Sequence, residues 1–141
     1  MKTVITYELP DGGVAVIYPA SDDLTIEEIA AKDVPPGVSF SVVEAESLPD
    51  RYFRAAWKSN NTGVTVDVEK AKEVQRNVWR KLRAPRLAQL DTQVIRTVER
   101  SDARRRNELA AMKQALRDVT TIELPDDLES IRNTIPEILL P

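Results

Sequence analysis

The chain has 141 residues, 42% of them hydrophobic and 30% charged, which suits one compact domain with a helical extension and leaves no apolar run long enough to span a membrane. It contains neither cysteine nor histidine, so disulfides, thiolate and imidazole metal ligands, thiol nucleophiles and the commonest general base are all excluded. The net charge of -3 conceals a segregation, with -6 on residues 1–68, +7 on residues 69–118 and -4 on residues 119–141, a pattern that bears on partner choice or head-to-tail association rather than on catalysis.

Val4-Ile5-Thr6-Tyr7-Glu8-Leu9 alternates and is β-branched, Pro10-Asp11-Gly12-Gly13 supplies turn chemistry, and Val14 to Tyr18 resumes the pattern, which predicts a β-hairpin with no signal-peptide core before it. Thr25 followed by Glu28 forms a capping-box pattern for a short helix through Lys32, stopped by Pro35-Pro36-Gly37. Val38 to Glu44 reads as a third strand. The apolar, aromatic segment Tyr52-Phe53-Arg54-Ala55-Ala56-Trp57 reads as a packing anchor between the head and the long helix. A turn at Asn60-Asn61-Thr62-Gly63 precedes one added strand near residues 64–68, and Asp67 is placed to cap a long helical region.

From Glu69 the period changes to that of a helix, with Ala71, Val74, Val78, Leu82, Leu87, Leu90, Val94 and Val98 on one side. Pro85 predicts a kink or break near residues 83–85. Ser101-Asp102 separates this run from a second, and Leu87, Leu90 and Val94 are expected to meet Leu109, Met112 and Leu116 across an αα-hairpin, with Asp91 paired to Lys113 or Arg117. The expected class is α+β: a small β-β-α-β domain over residues 1–68, a kinked long helix and basic αα-hairpin over 69–119, and an acidic, proline-containing tail over 120–141 with a short helix carrying Leu128, Ile131 and Ile135. Apolar faces this narrow often finish their burial in a homo-oligomer.

Four glycines form neither a dinucleotide nor a phosphate-loop pattern, and the acidic pairs Asp22-Asp23, Glu27-Glu28 and Asp126-Asp127 do not converge on one point, so the sequence predicts no catalytic residue, no cofactor and no metal site. The basic stretch Arg76, Arg80, Lys81, Arg83, Arg86, continued by Arg100 and Arg104 to Arg106, is the loudest charge signal. Trp57, Arg76, Trp79, Arg80, Arg83 and Arg86 are therefore the candidate protein-binding residues. Nucleic acid is the lesser reading, because both flanks are acidic and no recognition motif is present.

Leu48-Pro49-Asp50-Arg51, Phe53-Arg54-Ala55-Ala56-Trp57, Arg83-Ala84-Pro85-Arg86-Leu87-Ala88-Gln89-Leu90-Asp91 and Lys113-Gln114-Ala115-Leu116-Arg117-Asp118 together resemble small phage and prophage tail assembly chaperones and tail-fibre assembly accessories, over residues 48–120. Where that family carries an aromatic-rich segment after the aspartate, this chain has Thr92-Gln93-Val94. The resemblance implies a non-enzymatic helper that binds a phage tail or tail-fibre protein in the host cytoplasm during infection, or remains in the virion. A virion structural protein and a phage-encoded inhibitor of a host defence complex share the same features.

Overall fold

The computed structural model describes residues 2–60 and 62–141. They form an α+β chain of two compact units, Met1–Ala71 and Lys72–Pro141. In the first, the alternating segments become β1 (Thr3–Glu8) and β2 (Val14–Ile17), an antiparallel hairpin. Its turn needs Gly12, whose φ of 87° is a conformation that side chains with a Cβ rarely adopt. The expected capping box is present: Thr25 accepts from the backbone N–H of Glu28, whose carboxylate accepts in turn from the N–H of Thr25, and α1 runs over Ile26–Asp33. β3 (Phe40–Glu44) returns to the free side of β1, giving the order β2-β1-β3 with β1 central.

Alternation along β1 divides its side chains between two buried faces. Ile5 lies under α1 with Ile29, Ala30 and Val34, and Tyr7, Ile17, Ile26 and Val38 close the edges of that cluster. Val4, Thr6 and Val14 face the other way and are also buried. That face is covered by a second hairpin, β4 (Trp57–Asn60) with β5 (Gly63–Val66), which lies against β1, β2 and β3. Gly63 approaches so closely that a Cβ there would stand 3.3 Å from a methyl of Val43. Of the turn expected between these strands, Asn61 lies outside the described residues; Asn60 accepts from the backbone N–H of Thr62. One strand was expected here and two are found. Trp57-Lys58-Ser59-Asn60 has no β-branched residue to signal it, and it is held by pairing Trp57 with Val66.

Asp67 caps the long helix α2 (Val68–Glu99), accepting from the N–H groups of Glu69 and Lys70 at 3.1 and 3.3 Å. This helix runs through Pro85 without a break. The proline removes one backbone donor at a cost of about 3 kcal/mol, and the turns on either side are anchored: Arg83 donates to backbone carbonyls of the next helix, and Arg86 to carbonyls of the tail. α3 (Ala103–Asp118) then folds back as expected, with Asp91 ion-paired to Lys113. Arg117 enters through its carbonyl, which accepts from Arg83.

The turn between α2 and α3 is set by backbone geometry. Ser101 has φ 56°, its N–H donates to Val98, and the N–H of Asp102 reaches back to Thr97 at 2.9 Å. This paired closure of a helix end ordinarily places glycine at the left-handed position, and serine there is strained by about 1 kcal/mol. Ser101→Gly is therefore expected to raise stability to urea by about 0.5–1 kcal/mol without altering the helical circular dichroism.

Candidate functional site

The residues expected to form an outward binding face are, for the most part, consumed inside the second unit. Trp79 is 0% exposed. Its indole N–H donates to the carbonyl of Thr134 at 3.0 Å, and the amide of the equally buried Gln75 donates to the same carbonyl at 2.9 Å. Two donors one helical turn apart on α2 thus seize one peptide group of the tail. The tail is ordered by these bonds and by its own apolar residues: α4 (Leu128–Asn133) buries Ile131, and Leu124 and Leu139 are buried before and after it. Lys72 pairs with Asp126 at 2.7 Å.

The arginines follow the same logic. The last-turn carbonyls of a helix lack partners within it, and Arg83 supplies donors to those of Leu116 and Arg117 at the end of α3. Arg86 bonds the carbonyls of Ile138 and Leu140. Arg80 reaches Glu73 at 2.6 Å and also Asn77, and Arg76 stands 4.0 Å from Glu73. In the first unit Trp57 is 2% exposed, with its N–H on the carbonyl of Asp50 and the Arg54 guanidinium 4.4 Å above its ring. The two tryptophans are core residues, so neither forms part of an accessible face, and Trp79 has no free ring on which a base could stack. The sequence offered no sign that the tail would claim Trp79, because its proline-punctuated stretch shows only three apolar positions at helical spacing.

What α2 and α3 leave uncovered lies toward their connecting turn. Ile95 and Val98, one turn apart, are 61% and 54% exposed, and Met112, expected to close the hairpin, is 46% exposed. Leu90, Leu109 and Leu116 do close it. On another face of the same end, Gln93, Arg96, Thr97, Arg100, Asp102 and Arg105 line a groove of about 150 Å³. Arg105 is bonded to Glu108 at 3.1 Å and leans toward Gln93 at 3.5 Å. Arg96 and Arg100 are exposed, and their guanidinium groups have no hydrogen-bond or ion-pair partner among the described residues. Arg96 does not stand out in the sequence, although its spacing of four from Arg100 puts both on one helix face.

Asp102 is the one carboxylate among the described residues that line this groove. A depression of about 520 Å³ beside Tyr18, Leu24 and Ile29 in the first unit has Lys2, Asp22 and Tyr18 as its ionisable lining among the described residues. No group of acidic side chains among the described residues is arranged to hold a metal ion. No helix among them is long and apolar enough to cross a membrane.

Trp79→Ala removes both the buried ring and one donor to Thr134, and is expected to cost about 3–5 kcal/mol and to expose residues after Leu124 to limited proteolysis. Asp127 caps α4, accepting from the hydroxyl and the backbone N–H of Ser130, and these bonds hold its carboxyl below the ordinary aspartate value. A folded pKa lowered in this way gives stability that is present above the unfolded value and lost as pH falls through the folded one. The Ser130 amide resonance is thus expected to titrate below the usual aspartate range in the native chain and to show no such step in Asp127→Asn.

Comparison of the chain with protein-family models, with curated proteins and with solved structures returned no match in any of the three.

Proposed function

We propose that this chain is a non-catalytic binding protein whose partner docks on the turn end of the α2–α3 hairpin, and that the partner is a phage tail or tail-fibre component. The observation that carries the docking site is the contrast along α2. Through Arg86 its tryptophan and its arginines are engaged by α3, by the tail or by Glu73 on the same helix, whereas Ile95 and Val98 stand in solvent at the end that also carries the unpaired Arg96 and Arg100. Large exposed aliphatic side chains next to arginine are the composition of a protein interface. The kind of partner comes from the resemblance of residues 48–120 to tail assembly accessories; its action belongs to the host cytoplasm during infection, with retention in the virion as a variant of the same reading.

The test is affinity capture from cells producing phage particles, with the native chain and Ile95→Asp/Val98→Asp compared. Both replaced side chains are exposed, so the variant is expected to keep native circular dichroism. Tail or tail-fibre proteins are expected with the native chain and at least about tenfold less with the variant, since buried apolar hot spots carry a few kcal/mol each. Equal recovery with both chains would remove this docking end, and a native capture lacking tail components would remove the proposed client.

A further inference from the structure

The groove at the hairpin turn is electrostatically incomplete. Arg96 in the last turn of α2 and Arg100, one residue past its end with its N–H bonded back to the Arg96 carbonyl at 3.1 Å, are like charges four residues apart, an arrangement that is unfavourable unless an anion lies between them. Neither guanidinium has a partner among the described residues. The first turn of α3 carries Arg104, Arg105 and Arg106 and no acidic residue, although the positive end of a helix dipole disfavours cations there. The only carboxylate lining the groove, that of Asp102, is occupied in capping α3 through the N–H of Arg105 at 3.0 Å. Arg104 and Arg105 share a single acid, Glu108.

We infer that the Arg96–Arg100–Arg105 groove receives carboxylates from an acidic, extended segment of a partner protein. The inference rests on the proposed docking end and adds to it the chemistry of the partner. Guanidinium groups bind carboxylates through paired, charge-assisted N–H bonds, and a groove of about 150 Å³ accommodates one or two such groups rather than a long polyanion. Nucleic acid fits less well. A single strand asks for exposed rings on which bases stack along a continuous cationic track; no lining residue of the groove is aromatic, and both tryptophans are buried. The exposed pair Ile95 and Val98 at the same end suits a segment in which acidic residues alternate with aliphatic ones.

Fluorescence anisotropy with the full chain tests this. The probes are a short labelled peptide alternating glutamate with leucine, its glutamine counterpart, and a single-stranded oligonucleotide of matched charge. The glutamate peptide is expected to bind and the glutamine peptide not to, with affinity falling at least about tenfold in Arg96→Glu/Arg100→Glu and by an intermediate amount in Arg96→Lys/Arg100→Lys, which keeps charge but loses the planar fork. Failure of the native chain to bind the glutamate peptide, equal affinity in native and charge-reversed chains, or tighter binding of the oligonucleotide would each overturn the inference. Native circular dichroism of the variants excludes misfolding as the cause of a loss. Capture of tail proteins by Arg96→Glu/Arg100→Glu at native levels would likewise remove the groove while leaving the docking end intact, so the two readings fail separately.

Discussion

One peptide carbonyl organises the second unit. Thr134 accepts from the Trp79 indole and from the Gln75 amide, both buried and both presented by α2. A buried indole N–H or amide without an acceptor would cost about 1–3 kcal/mol, so the tail is needed where it lies. Once it is there, Ile131 and Leu139 complete an apolar seam, Lys72 and Arg86 tie down the segments on either side, and the helix beyond Arg86 is left to α3 alone. The division of α2 into an engaged half and an end with exposed side chains follows from how far the tail extends along it.

The same arrangement adds burial that a helix with a narrow apolar stripe cannot supply from one neighbour. A single face of Val74, Val78 and Leu82 is insufficient for burial on one neighbour. Here one side meets α3 and another meets the tail, and arginine stems and their donors close what remains. Arg83 and Arg86 serve as caps for backbone carbonyls that belong to other segments, a use of guanidinium that depends on several N–H groups in one rigid plane.

Local signals in the sequence were legible and long-range ones were not. The first hairpin, the capping box at Thr25 and Glu28, the cap at Asp67, the turn at Ser101 and the Asp91–Lys113 pair all depend on residues within a few positions of one another or on simple helix periodicity. β4 was hidden because its strand character comes from its partner, the helix continues through Pro85 with anchors on both sides where a kink or break was expected, and Trp79 read as a binding residue because nothing near it in sequence announces the tail. For the site, the excess of arginine on residues 69–118 was visible, but the engagement of Arg83 and Arg86 depends on contacts 33 to 54 residues away. Arg76 to Arg86 are largely spent internally, whereas Arg100, from the continuation of that cluster, and the inconspicuous Arg96 have no partner among the described residues.

The distance in sequence between Trp79 and Thr134, 55 residues, also matters while the chain is being made. A ribosome adding about 5–20 residues per second needs roughly 3–11 s to cover that interval. For that time the nascent helix has its indole and the neighbouring aliphatic groups uncovered, and no local rearrangement can hide them. Sequestration by a chaperone is most consequential in those seconds, before the segment that carries Thr134 has come down on α2.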